Sequence, residues 1–459
     1  MRTTNLKDKQ VLVMGLGSFG GGADSALFAC SQGAKVTVTD LAVESKLHDT
    51  LYALRDQPIQ WHLGGHAEED FKQADIVIVN PAVPPDNIFL QIARQAGAAI
   101  TSQVRLFFER CPARTVAVTG SNGKSTTTAL TARLLEAGLG QDGITYDHVY
   151  LSGNIGNRPL LGLLSQLTSR DIVVIEISSF QLEQLAQSRL APDVAVLTNL
   201  SPNHLDRHGT FEAYCAAKEN IFAWQKPNDQ NPPVSIFNAE DPPSLRWYAK
   251  YSAQPGRRCM LFRAEDVTPA MREYFTLPGR VNLQNLAAAL AVAEVFGVDS
   301  GRLRQAVSAF QGLENRMQLV ANIGGVRWYD DSKATTPVST MAALNGMNEP
   351  KILIAGGYDK GISFDELGRC IAKRCKAVVL IGQTAGKIET AVRQAGPTGA
   401  IIRNAQDMDE AVLFCSEMAQ KGDVVLMSPA CASYDLFKNY QERGRAFRQA
   451  VTARHEGRL

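Results

Sequence analysis

Short apolar runs recur along this chain, each followed by a polar or glycine-rich turn and then by a stretch with helical spacing. VLVMG, KVTVTD and ADIVIVN come first, then VAVTG, IVVIEI and VAVLTNL, and finally KILIAGG, AVVLIG and DVVLMSPA. Their apolar residues are mostly consecutive rather than alternating, as in strands covered on both faces. Between them, residues 23–32, 46–56, 88–95 and 302–310 suit helices, and LAAALAVAEVF suits a helix of closely packed small residues. Strand, turn and helix in succession predict parallel sheets built from βαβ units, an α/β fold class. Residues 247–275 break the rhythm and read as a short strand pair. Breaks near residues 103 and 313 divide the chain into 1–102, 103–312 and 313–459.

The turn after VAVT carries the clearest chemistry. Gly120, Ser121, Asn122 and Gly123 link a buried strand to a helix that opens with Lys124, Ser125 and Thr126. Glycines let backbone N–H groups approach phosphate oxygens, and a helix N-terminus adds partial positive charge. Lys124 supplies a full charge, and a hydroxyl at Ser125 or Thr126 can reach Mg²⁺. Val118 stands where the longer phosphate loop has its first glycine, so this is a tighter GxxGKST turn.

A second glycine turn lies near the start. Gly15, Gly17 and Gly20 spell GxGxxG after VLVM. Asp40 follows about 20 residues on, the spacing of a dinucleotide-type fold. NAD fits this pattern, but so does any nucleotide diphosphate on the same helix N-terminus. A dehydrogenase reading leaves the Lys124 turn unexplained. Asn80-Pro81-Ala82 stops the strand ADIVIVN as a loop, and Gly64 and Gly65 make His62 and His66 loop residues.

Further candidates lie at strand ends. Glu176 closes IVVIE, where ligands bind in open α/β sheets, and is a Mg²⁺ ligand or a carboxylate at the sheet edge. His204, Asp206 and His208 share a polar loop that lacks an evident fourth zinc partner. Lys218 is a surface lysine or, if it faces a metal, one whose charge must be removed, as carbamylation would do. Ser433 is expected near the start of the last major helix, to cap it or to bind a carboxylate.

The bulk numbers narrow the class. Net charge is +1 over 459 residues, so no global field recruits nucleic acid or anionic lipid. Neither a secretory leader nor a membrane-spanning run is expected. Eight scattered cysteines, without CxxC, suit reduced thiols in a cytoplasm.

TGSNGKSTT, GNIG, EISSFQLE, NHLDRH with AAK, NRMQ, DDSKATTP, GGYDKG and SPACASYDLFKNYQERG follow in this order. Together they resemble the Mur ligases of peptidoglycan synthesis over essentially the whole chain. The resemblance implies three domains: a Rossmann-like N-terminal domain for the UDP substrate, a central P-loop ATPase domain, and a Rossmann-like C-terminal domain for the amino acid. It implies ATP-dependent ligation of D-glutamate to UDP-N-acetylmuramoyl-L-alanine through an acyl phosphate, with L-glutamate or another Mur-type reaction as alternatives. Gly15, Gly17, Ser18, Asp40, Asn80, Ala82, Asn154 and Ser178 would then hold the UDP substrate. The Gly120–Thr126 turn, Asn285, Arg316 and Asp331 would hold ATP. Ser125, Thr126, Glu176, His204 and a carbamylated Lys218 would serve Mg²⁺. Lys333, Thr335, Lys360, Ser433 and Tyr440 would surround glutamate, with Lys124, His204, Lys218 and Lys360 as the catalytic set. A cytoplasmic monomer, without nucleic-acid or membrane partners, is the matching expectation.

Overall fold

Consecutive apolar residues become strands because each is covered from both sides. In the computed structural model, which describes residues 3–16, 20–155, 159–359, 361–397 and 399–455, three sheets form. The first contains β1 (Gln10–Met14), β2 (Lys35–Asp40), β3 (Ile59–Leu63), β4 (Ile76–Val79) and β5 (Ala99–Thr101), in the parallel order β3-β2-β1-β4-β5. Strand order reverses between β1 and β4, which opens a crevice at their carboxyl ends. The second contains β6 (Arg114–Thr119), β7 (His148–Gly153), β8 (Asp171–Glu176), β9 (Val194–Leu197), β10 (Val234–Asn238) and β11 (Arg258–Phe262). Its order is β11-β10-β9-β6-β8-β7, again all parallel.

The third sheet contains β12 (Gln318–Ile323), β13 (Val326–Asp330), β14 (Lys351–Gly356), β15 (Ala377–Ile381), β16 (Ile401–Asn404) and β17 (Val424–Met427). Its order is β12-β13-β17-β14-β15-β16, parallel except for the β12–β13 hairpin. Two compact units carry these sheets. Residues 1–269 with 284–307 hold the first two, and residues 270–283 with 308–459 hold the third. Within the first unit one apolar cluster runs from Val11, Val13 and Leu16 to Ala117, Val173 and Ile175, and another, around Leu12, Met14 and Phe71, covers the other face of the first sheet. The two faces of the third sheet bury separate clusters, one around Leu353 and Leu426, the other around Ile354 and Met427.

Local chemistry sets the helix starts. Ser102, Asp241, Thr336 and Asp407 each accept a backbone N–H at an N-cap, and Pro242 and Pro337 open their helices. Ser178 and Gln181 form a reciprocal capping box.

Several expectations change. His62 lies on β3 rather than in a loop, with Nδ1 2.6 Å from Asp70 Oδ2. Residues 247–275 hold no strand pair: a helix, Pro242–Ser252, runs into them, a lone strand β11 pairs to β10, and two short helical turns, Ala264–Asp266 and Pro269–Arg272, follow. Leu205–His208 is a short helix inside the expected loop. Ser433 does not cap the last helix, Tyr440–His455; Asn439 accepts the Glu442 N–H at 2.8 Å instead. β3, β7, β11, β12 and β16 are edge strands with half-exposed residues, so their apolar signal is weak.

Candidate active site

β6 ends at the centre of its sheet and delivers the glycine turn to the helix Lys124–Ala137. Gly120 has φ +149°, and a Cβ there would stand 1.9 Å from Thr198 Oγ1. Gly123 has φ +80°, and its Cβ would meet Asn285 Oδ1 at 2.2 Å. Both glycines are therefore required by backbone conformation and by close approach. Asn285 also accepts the Thr127 hydroxyl at 3.2 Å, so the distant helix Arg280–Val295 presses its amide against the turn.

A second loop braces the first. Asn199 accepts the Ser121 N–H through its carbonyl at 2.8 Å and the Asn122 N–H through its side chain at 3.0 Å. Thr198 Oγ1 donates to the Asn122 carbonyl at 2.6 Å, and Ser121 Oγ lies 3.0 Å from the Tyr214 hydroxyl. The sequence alone does not single out these bracing residues. Their signal was the polar run TNLSPNH after β9, which sheet order places beside β6.

Charge gathers at this turn. Lys124 Nζ donates to the carbonyls of Gly120 and Ser121 at 2.9 and 3.0 Å. Ser125 donates its hydroxyl to Glu176 at the end of β8. Lys218 is 2 % exposed. Its Nζ lies 3.2 Å from Thr119 Oγ1 and 4.8 Å from the Tyr214 ring centroid. Burial, and then the Lys124 charge beside it, hold its ammonium well below the ordinary lysine range, with Glu176 opposing. The surface reading of Lys218 is thus corrected: it is a buried amine facing a carboxylate and a second lysine.

His204 is exposed at φ 52°, with its ring 5.2 Å from Phe180 and 6.4 Å from Tyr214. The buried His208 side chain pairs with Ser179 Oγ at 3.0 Å and lies 3.5 Å from Glu183. Among the described residues, no three His, Cys, Asp or Glu side chains gather as a metal cage. Ser125 and Glu176 nevertheless touch, and two adjoining hard oxygens fit Mg²⁺, which takes few protein ligands and keeps water and phosphate as the rest.

At the β1–β4 crevice, Gly15 N donates to Thr39 O at 2.8 Å, and Asn80 Nδ2 reaches Gly15 O at 3.5 Å. Ala82 N donates to Asn80 Oδ1 at 3.0 Å. Asp40 accepts the N–H groups of Leu16 and Ala42, both at 2.8 Å, so it already ties two loops together. Asn154 Nδ2 donates to Gln181 Oε1 at 3.0 Å, beside the Ser178 cap. Gly17 and Ser18 lie outside the described residues.

In the second unit, Asp331 accepts from Ser428 Oγ at 2.8 Å and from the Met317 N–H at 3.2 Å, with the Arg316 charge nearby. Burial pushes its carboxyl from an ordinary 3.8 up to about 7. Lys333 Nζ stands 5.3 Å over the Tyr440 ring, Thr335 N donates to Lys333 O at 3.0 Å, and Ser433 is buried. Lys360 lies outside the described residues. The raised carboxyl has a testable sign. Between pH 3.8 and about 7 the folded chain binds the proton that the unfolded chain has released, so stability falls as pH rises across that window. Denaturant unfolding of Asp331→Asn is expected to lose that slope. An unchanged slope would mean that Asp331 is charged when folded.

Three family models match in succession: the Mur ligase MurD-like N-terminal domain over residues 9–102, the Mur ligase middle domain over 118–271, and the Mur ligase glutamate ligase domain over 315–431. The chain belongs to the Mur ligase family. Mur ligases are ATP-dependent amide ligases, and the Lys124 turn lies in the matched middle domain. The chain is 40% identical over 469 residues to a UDP-N-acetylmuramoylalanine--D-glutamate ligase of Roseiflexus sp. strain RS-1, covering 97% of this chain and 99% of that one. It is 39% identical over 442 residues to the enzyme of the same name from Symbiobacterium thermophilum, covering 93% and 94%. The MurF ligase of Thermotoga maritima, solved in complex with ADP, shares the fold at a TM-score of 0.56 and 17% identity, over 100% of this chain and 97% of that one. No helix among the described residues is long and apolar enough to cross a membrane.

Proposed function

We propose that this chain ligates D-glutamate to UDP-N-acetylmuramoyl-L-alanine with consumption of ATP, in peptidoglycan synthesis. The observation that carries the reading is the convergence of Lys124, the Ser125–Glu176 pair and buried Lys218 on one glycine turn. A UDP-type crevice within the same unit and curated relatives of that name add support. The alanine carboxylate attacks the γ-phosphorus of ATP and ADP leaves, giving an acyl phosphate. The glutamate amine then attacks the acyl carbon, loses a proton and expels phosphate.

Bringing a carboxylate to a triphosphate crowds anionic oxygens, and fixed positive charge must offset the repulsion. We assign Lys124 and the N–H groups of Gly120–Thr126 to the phosphates, with Asn285, Arg316 and Asp331 completing the ATP contacts. Ser125, Thr126 and Glu176 would hold Mg²⁺, with His204 and carbamylated Lys218 serving a second ion. Mg²⁺ bound there supplies charge neutralisation. Gly15, Gly17, Ser18, Asp40, Asn80, Ala82, Asn154 and Ser178 are assigned to the UDP substrate, and Lys333, Thr335, Lys360, Ser433 and Tyr440 to glutamate. Cations and hydroxyls suit a dicarboxylate. We place the domain bounds at 102 and 312, the enzyme in the cytoplasm, and the working form as a monomer.

The test is phosphate release with ATP, UDP-N-acetylmuramoyl-L-alanine and either glutamate enantiomer. Release with D-glutamate alone is expected, release only with L-glutamate would reverse the stereochemistry, and none with either would sink the ligase reading. Glu176→Gln is expected to raise the Mg²⁺ concentration for half-maximal turnover by about 10–100-fold, as for other weakened metal sites. A Mg²⁺ titration that superimposes on the parent would remove Glu176 from the metal.

A further inference from the structure

Asp24 sits in the first turn of the helix Gly21–Ser31, which follows β1 and the GxGxxG stretch along the chain. An acid there opposes anion binding, because like charge repels a diphosphate at a helix N-terminus. Its side chain is 5 % exposed and is fully engaged. Oδ2 accepts the Leu161 N–H at 2.8 Å and Gln103 Nε2 at 2.6 Å, while Oδ1 accepts the Gly162 N–H at 3.1 Å. None of these donors belongs to the first sheet. Leu161 and Gly162 precede β8, and Gln103 opens the helix Gln103–Phe108. The Gln103 amide also lies across the start of the Asp24 helix, since a Cβ on Gly21 would meet its oxygen at 3.2 Å. Leu160, Leu161 and Leu163 are buried in the same apolar cluster as Leu16 and Ala26, so the turn that donates to Asp24 is anchored on both sides.

We propose that Asp24 is a positioning residue: it clasps the diphosphate-binding end of the Gly21–Ser31 helix to the Leu160–Leu163 turn and to Gln103, and so sets the UDP substrate relative to the Lys124 turn. Three N–H groups from two separate segments converge on one carboxylate, which a helix cap or a surface ion pair does not require. Both carboxylate oxygens are taken up by these donors and the side chain is buried, so the carboxylate is spent on the clasp rather than offered to a ligand. The inference rests on the UDP-ligase reading above.

Asp24→Ala removes all three acceptor contacts. Its expected effect is a KM for UDP-N-acetylmuramoyl-L-alanine raised about tenfold, with the KM for ATP within about twofold, the pattern of lost binding at one substrate. Asp24→Asn keeps one acceptor oxygen and should fall between the two. Hydrogen exchange at the Leu161 and Gly162 amides should quicken in both variants. If Asp24→Ala does not fold, Gln103→Ala, which removes one donor, should raise the same KM about threefold. An unchanged KM for the UDP substrate, or equal rises for both substrates, overturns the clasp while leaving the ligase reading intact. A parent chain that neither binds nor turns over the UDP substrate overturns both.

Discussion

Lys124→Ala is expected to lower kcat by at least about 10²–10³-fold, the cost of losing one charge-stabilising donor at a reacting centre. Its ammonium is held at the mouth of the turn by the Gly120 and Ser121 carbonyls, so it is placed before any nucleotide arrives. Removing it leaves only the backbone N–H groups and the helix N-terminus, which carry no full charge, to meet a phosphate. The loop itself should persist, because Asn199, Thr198 and Tyr214 brace it independently of Lys124. Single-turnover phosphate release, together with a thermal melt, checks both parts. A variant with near-parent turnover would remove Lys124 from the phosphates, and one that melts early would make it a structural residue.

Lys218→Ala should be similarly damaging, by about 10²–10³-fold, and partly restored by a small carboxylic acid. Burial and the Lys124 charge lower the Lys218 pKa, so its amine gives up a proton more readily than an ordinary lysine and, once deprotonated, can attack CO₂. The N–C bond forms, the nitrogen loses a proton, and a neutral amine becomes a carboxylate beside Glu176. Full activity without Lys218 would eliminate the modified residue from the mechanism. Stability gives an independent readout. Folding lowers the pKa of an amine that titrates at an ordinary 10.5 when unfolded, so stability rises with pH from the lowered folded value toward 10.5. Lys218→Met removes that penalty and should be the more stable protein near neutrality, although inactive. A less stable Lys218→Met would mean that the amine is charged and paired when folded, or already modified.

Most of the architecture was legible because it is written in consecutive residues. The central strands are continuous apolar runs, and the helix at residues 88–95 begins at Asn87, whose side chain caps it. The Lys124 turn was legible for the same reason, since glycines, lysine and hydroxyl residues adjoin in sequence. Edge strands were not, because half their residues face solvent and lose the apolar signature. Nor was the bracing by Asn199, 77 positions from Asn122, or the clasp between Asp24 and Leu161, 137 positions apart.

By itself the chain determined its βαβ rhythm, its two glycine turns and the residue types gathered around them. Only the tertiary structure decided that Lys218 is buried rather than exposed, that Asn285 closes on Gly123, and that Asp40 already ties Leu16 to Ala42. The reason is physical: strand and turn propensities act over a few neighbouring residues, whereas burial, and with it the charge state of an amine or carboxyl, depends on which distant segments pack around the group.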